Sequence, residues 1–214
     1  PYTTLFRSYS LTKSKLEHKV TGRTNDFRRD TLITTGSATP EDYKKSGYDR
    51  GHLAPAADME WSLKSAHDSF LMSNMSPQVP AFNRVIWKLL EEEVRRWASE
   101  YKLIYVVTGP VLEKEAEDYN AIGENQVAVP EYFYKALLIF VPVYAQGSSD
   151  EIEAYNVQCA GFIVPNKASG KDIYKFICSI DQVEERCGLD FFSNLPDEVE
   201  DLAESECGEI FLGQ

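Results

Sequence analysis

The chain has three histidines, His18, His52 and His67, and one of them stands in a setting that could do chemistry. His52 closes the run Tyr48-Asp49-Arg50-Gly51-His52 and is followed by Leu53-Ala54-Pro55-Ala56-Ala57-Asp58. Gly51 admits a close backbone approach. Arg50 offers a planar guanidinium fork that matches a phosphate. An imidazole that titrates near neutrality beside such an arginine is what a general base for phosphodiester hydrolysis requires. His18, in a Lys/Glu-rich stretch, and His67, in a short polar helix, read as solvated surface residues.

A second set lies on a predicted helix over residues 80–101. There Ile86, Leu89, Leu90, Val94 and Trp97 recur at helical spacing, with charges on the opposite face. Asn83 and Glu91 are eight residues apart on it. That is roughly 12 Å of rise and about 80° of rotation in an α-helix, so the two share a flank without both gripping one ion. Asn83 would give a hard oxygen to Mg²⁺, which keeps several of its waters. Glu91 would accept hydrogen bonds from those waters. Arg95 follows one turn later. Taken alone, Asn, Glu and Arg on a helix are ordinary solvent-facing residues.

The elements that must position these residues are legible in outline. Residues 103–108 read as a central strand ending at Gly109-Pro110, and residues 127–129, 132–143 and 153–164 as further strands. Residues 70–74 read as a short buried strand, 9–20 as a polar strand or hairpin, 23–40 and 47–58 as loops, and 41–46 and 62–70 as short helical pieces. Residues 171–178 and 181–187 suggest a strand and a helix, and 197–207 an acidic helical tail. Strands and helices mix without βαβ alternation. This predicts an α+β fold with a largely antiparallel central sheet flanked by helices.

Composition narrows the classes. An apolar fraction of 43% and a charged fraction of 26% in 214 residues exclude general disorder. The apolar runs fall far short of the ~20 residues of a membrane helix, so no membrane partner is expected. Net charge is −12, but residues 1–58 carry 10 Lys/Arg against 7 Asp/Glu, whereas residues 151–214 carry 4 against 14. The chain does not coat DNA by bulk charge; an enzyme that touches a few phosphates fits. Cys159, Cys178, Cys187 and Cys207 show no C-x-x-C spacing, which argues against a zinc knuckle. Two disulfides, Cys178 with Cys187 among the pairings, and four buried thiols are both open.

Together, DRGHLAPAAD and MSNMSPQVPAFNRVIWKLLEEEVRRW resemble the DNA/RNA non-specific endonuclease family. That family includes secreted bacterial nucleases and mitochondrial endonuclease G, and it has a ββα-metal active site. YVVTGPVL, QVAVPEYFYK and FIVPN extend the resemblance from about residue 23 to about residue 196. The resemblance implies that His52 is the general base and that Asn83 is the sole direct protein ligand of Mg²⁺, with Mn²⁺ able to substitute. It implies that Glu91 holds metal-bound water and that Arg23, Arg50 and Arg95 act on the phosphate. Asn74, in the S-N-x-x-P-Q stretch, would contact substrate or brace the site.

The activity implied is cleavage of DNA and RNA with little sequence preference, leaving 5′-phosphate and 3′-hydroxyl ends. Beside nucleic acid, a second copy of the chain and a protein inhibitor are expected partners. Export or a periplasmic location in a bacterium is the expected address, because an unspecific nuclease is toxic to its own cell. Residues 1–8 do not resemble the family's first strand and read as a truncated or foreign start. Residues 9–214 read as one nuclease domain with an acidic C-terminal segment from about residue 197. Two rival readings are a non-catalytic nucleic-acid-binding module on the same fold and a phosphodiesterase for small nucleotides.

Overall fold

The YFYKALLIFV run is apolar at nearly every position, the pattern of a strand covered on both faces. A computed structural model, describing residues 6–146 and 151–212, places it at the centre of the main sheet. In chain order the strands are β1 (Arg7–Thr12), β2 (Asp49–His52), β3 (Met75–Gln78), β4 (Leu103–Val111), β5 (Ala121–Ile122), β6 (Val127–Ala128), β7 (Tyr132–Tyr144), β8 (Ile152–Pro165) and β9 (Ile177–Cys178). The α-helices are α1 (Lys13–Glu17), α2 (Leu63–Asp68), α3 (Lys88–Tyr101), α4 (Ile180–Cys187) and α5 (Asp197–Ser205). The main sheet has the order β1-β4-β7-β8-β9, and every pairing in it is antiparallel. The expected α+β architecture is present.

Strand alternation sorts the side chains of β7. Phe133, Leu137 and Ile139 face α3 and pack with Leu90, Val94, Trp97 and Ala98. Tyr134, Ala136 and Leu138 face the other way, toward Ile180 and Val183 of α4 and Phe191. Lys135 falls on the α3 side and is fully buried there. Each large apolar side chain fully buried in these two layers contributes about 1.5–3 kcal/mol. A third, smaller cluster of Tyr43, Met72, Met75, Ile122 and Val127 holds the β2–β3 hairpin and the β5–β6 pair.

Several local expectations change. Asp49–His52, expected within a loop, is strand β2. Residues 72–74 form a 3₁₀ turn, and the strand starts only at Met75. β4 continues through Gly109-Pro110 to Val111, because beyond Thr108 β1 no longer pairs with it and proline is tolerated on an edge. The long helix begins with a π-helical stretch, Phe82–Trp87, before α3. In the 171–178 segment a 3₁₀ turn, Ile173–Phe176, precedes the two-residue β9. All four cysteines are free thiols, which decides between the two open readings. β1 takes in Arg7 and Ser8, while residues 1–5 of the set-apart start lie outside the described residues.

Gly161 of β8 is where α4 comes closest to the sheet. A Cβ there would sit 2.5 Å from Val183 Cγ2 and 2.6 Å from the backbone oxygen of Ser179. Because a backbone atom is in the way, Gly161→Ala should lift α4 and lower stability by about 1–3 kcal/mol, the usual range for overpacking. Urea unfolding should show a lower midpoint at unchanged slope.

Candidate active site

Strand β2 pairs with β3 in the register Asp49↔Gln78, Arg50↔Pro77, Gly51↔Ser76 and His52↔Met75. A Cβ on residue 51 would fall inside the Gln78 side chain, which is itself fully buried, so glycine is the residue that lets the hairpin close. Alternation then sends Arg50 and His52 to one side and Asp49 to the other. His52 is 9% exposed and lies against Phe27 and Phe70, with ring centroids 5.7 and 5.0 Å away. The Arg50 guanidinium rests on the other aromatic wall, 3.9 Å from the centre of the Phe27 ring. Burial first, and then the positive charges of Arg23 and Arg50, push the His52 pKa down to about 3. The ring therefore does not titrate near neutrality, as its residue type alone suggests, but is held neutral, with one N–H and one lone pair. Its Nε2 is buried and has no hydrogen-bond partner among the described residues.

The π-helical stretch delivers Asn83. Each residue of an i→i+5 turn winds less than an α-helical residue, so the spacing to Glu91 departs from that of a straight α-helix. Asn83 Nδ2 donates to Asp49 Oδ2 at 2.9 Å, which leaves Asn83 Oδ1 available as an acceptor. Arg84 forks the same carboxylate, Nε to Oδ2 at 2.8 Å and one terminal nitrogen to Oδ1 at 2.6 Å. Burial alone would raise the Asp49 pKa. The hydrogen bonds from Arg84 and Asn83 outweigh it and hold the carboxyl below its usual value.

Further along, Arg95 donates to Asp58 Oδ1 at 2.8 Å, and the Tyr9 hydroxyl donates to Asp58 Oδ2 at 2.9 Å. Asp58 is thus saturated by β1 and α3 and fixes the Arg95 side chain. Below Glu91, Lys135 Nζ donates to Thr108 Oγ1 at 3.2 Å and lies 4.5 Å from the centre of the Trp87 ring. Burial pushes the Glu91 carboxyl up, and the Lys135 charge opposes that rise. Burial likewise pulls the Lys135 ammonium down, against the carboxylates of Glu91 and Asp58.

Arg23, Arg50, His52, Asn83, Glu91 and Arg95 line one open cavity of about 470 Å³. Residues some seventy positions apart in sequence are therefore brought together. Arg23 is the most loosely held: its Nε donates to Asn25 Oδ1 at 2.9 Å, and its guanidinium lies 5.8 Å from the Phe70 ring centre. Asn74 does not join them. It is buried, and its amide bonds Ala54 N, Ala54 O and Ser69 O at 2.8–3.0 Å, which clamps the chain just after His52. With its amide satisfied in this way, the structure gives Asn74 a bracing position rather than a substrate-facing one. Sequence reasoning passed over Asp49 and Asp58, the acids at the two ends of DRGHLAPAAD, whose signal is their place in that run. It also passed over Lys135, marked by a lone charge within an apolar strand.

The oxygens of Asn83 and Glu91 on one cavity wall are hard donors of the kind Mg²⁺ takes alongside water. With Asn83 Oδ1 left over by the Asp49 bond, the residues fit a divalent metal.

The sequence pattern of the DNA/RNA non-specific endonuclease family matches residues 2–198. Human mitochondrial endonuclease G is 37% identical over 180 residues, covering 79% of this chain and 57% of that protein. A nuclease of Nostoc sp. is 33% identical over 190 residues, covering 86% of this chain and 65% of that protein. A solved chain from the EndoG/EndoGI complex, described with the mechanism of EndoG inhibition, matches with a TM-score of 0.75 at 32% identity. That match covers 90% of this chain and 79% of the solved one. The chain spans 57% of the human relative and 65% of the Nostoc one, less than two thirds of either. Among the described residues, no helix is long and apolar enough to cross a membrane. A family pattern over residues 2–198, on a fold that seats the DRGH hairpin against the Asn83–Arg95 helix, means that the chain belongs to the DNA/RNA non-specific endonuclease family.

Proposed function

We propose that this chain is a metal-dependent endonuclease that hydrolyses phosphodiester bonds of DNA and RNA with little sequence preference. The observation that carries this reading is His52: a buried neutral imidazole with an unpartnered Nε2 in the same cavity as Asn83, Glu91 and three arginines. In the proposed reaction Nε2 accepts a proton as a water oxygen bonds to phosphorus. The bond from phosphorus to the 3′-oxygen breaks, and that oxygen leaves with a proton from solvent, giving 5′-phosphate and 3′-hydroxyl ends. Arg23, Arg50 and Arg95 hold the phosphate oxygens and offset charge on them. Asn83 would hold Mg²⁺ (or Mn²⁺), with Glu91 accepting from its waters; when bound, the ion supplies Lewis-acid stabilisation at the leaving oxygen. Arginines that contact phosphate position the strand without reading bases, which supports low specificity.

Digestion of a plasmid and of a structured RNA, with and without EDTA, followed by end-group labelling, tests the whole reading. Binding without cleavage would instead indicate the non-catalytic module. Beside nucleic acid we propose a protein inhibitor, supported by the similarity to a chain of the EndoG/EndoGI complex. A homodimer is proposed as well, and sedimentation tests it. Secretion or a periplasmic location is proposed from the need to separate an unspecific nuclease from its own genome. The relatives include mitochondrial nucleases and the Nostoc nuclease.

His52→Ala should lower kcat by roughly 10²–10⁴ with the fold intact, the range for loss of a general base; near-normal turnover by a folded variant refutes the assignment. Asn83→Ala should weaken Mn²⁺ binding more than Glu91→Ala does, since a group acting through water is worth about 10–100-fold. Titration followed by Mn²⁺ paramagnetism ranks the two, and equal affinity in wild type and Asn83→Ala puts the ion elsewhere. A histidine depressed to about 3 stays neutral as pH falls from 8 to 5, whereas a free imidazole near 6.5 is mostly protonated by then. The His52 ring resonances should therefore not shift over that range in NMR. Since the unfolded chain takes the proton first, this residue's contribution to stability is lost as pH falls from about 6.5 toward 3.

A further inference from the structure

The acidic C-terminal third, which the catalytic reading leaves unused, brings carboxylates together between α4 and α5. Asp181 and Glu184 stand on α4 and Glu204 on α5. One oxygen from each lies within 4.8 Å of those of the other two. Asp181 is exposed and Glu184 half-buried, but Glu204 is only 5% exposed. Glu204 Oε1 is buried and has no hydrogen-bond partner among the described residues, and the same holds for Glu200 Oε1 one turn earlier. Arg186, the cationic side chain of α4, is turned away and held by Glu113 at 2.6 Å. Among the described residues the cluster therefore lacks the cationic partner that a buried carboxylate ordinarily requires.

A proton or a cation must meet that demand. The geometry favours a cation over a shared proton, since three carboxylates converge and one proton bridges two at most. Glu184 is already aimed, because its Oε1 accepts the Phe191 N–H at 2.6 Å. Ca²⁺ binds oxygens at 2.3–2.6 Å, so two ligands across the ion are up to about 5 Å apart, which accommodates the observed spread. Mg²⁺ is generally held by one or two carboxylates and keeps its waters, a poorer match to this set.

We propose that Asp181, Glu184 and Glu204 form a Ca²⁺ site that fastens α5 to α4, separate from the catalytic cavity. The site needs no rearrangement of the sheet, and Ala203, beside Glu204, already packs in the α4 layer.

The test is calorimetric Ca²⁺ titration of the full chain carrying Asn83→Ala, which removes the oxygen proposed for the catalytic ion. One Ca²⁺ should still bind. Adding Glu204→Gln or Asp181→Asn should weaken binding at least about tenfold, the lower end of what even a ligand-orienting residue is worth. Asp181 is exposed, so Asp181→Asn decides the matter even if Glu204→Gln fails to fold. In an otherwise wild-type chain, Asp181→Asn should leave cleavage in saturating Mg²⁺ unchanged while abolishing the rise in Tm that Ca²⁺ gives. Absence of Ca²⁺ binding by Asn83→Ala, or unchanged affinity after Asp181→Asn, overturns the proposal.

Discussion

One carboxylate joins the two halves of the site. Asp49 sits on strand β2, and it accepts hydrogen bonds from Asn83 and Arg84 at the start of the long helix. His52 is three residues further on the same strand, so the bond from Asn83 to Asp49 sets how far the imidazole lies from the Asn83 oxygen. It also fixes which way the Asn83 amide is turned. With Nδ2 spent on Asp49, Oδ1 is the atom left for a cation. The neighbouring elements position these two partners. The β3 register and Gly51 hold the strand, the Asn74 clamp holds the chain leaving it, and the π-helical stretch carries Asn83 and Arg84.

Against this frame the electrostatics become coherent. The chain is strongly acidic, yet the cavity is lined by Arg23, Arg50, Arg84, Lys88 and Arg95. These cations differ in how they are held. Arg84 and Arg95 are tied to buried or half-buried acids, Arg50 lies on the Phe27 ring, and Arg23 has one hydrogen bond to Asn25 and a longer contact with the Phe70 ring. A pre-positioned guanidinium loses little freedom when a phosphate arrives, so the fixed members supply geometry and the loose one can follow the strand. The same charges act on His52. In a dry pocket beside two arginines a protonated imidazole is disfavoured, so the ring rests neutral and is a weaker base than a free imidazole until a bound anion offsets the two guanidinium charges.

Much of this was legible in the sequence, and the exceptions share a cause. The helical face of residues 80–101, the long strands and the DRGH and Asn83…Glu91…Arg95 positions follow from spacing and resemblance. β2 was hidden because glycine and proline around it mimic a loop, and only pairing with β3 makes four residues a strand. The π-helical stretch leaves the apolar 3–4 spacing intact and so has no sequence signature. Asn74 was read as contacting substrate or bracing the site, and its amide bonds to Ala54 and Ser69 favour bracing. Lys135 went unread; period-two alternation sends it beneath Glu91, where a hydrophobic residue would pack more readily.

That last residue shows what the core gives up for the site. Asp58, Glu91, Arg95 and Lys135 place charged groups beneath the cavity, between α3 and the sheet, two of them in positions closed to water. Such a network is seldom a gain over well-packed apolar side chains, because desolvation consumes most of the attraction. Its members are nonetheless tied at both ends: Asp58 to Tyr9 of β1 and Arg95 of α3, Lys135 to Thr108 of β4. An apolar replacement would fill the same volume, but it would leave Arg95 without the carboxylate that aims it. It would also leave Glu91 without the positive charge that opposes its neutralisation. The fold therefore carries charged groups under the cavity in place of part of its apolar core: Asp58 sets the direction of Arg95 on the cavity wall, and Lys135 opposes the neutralisation of Glu91 there.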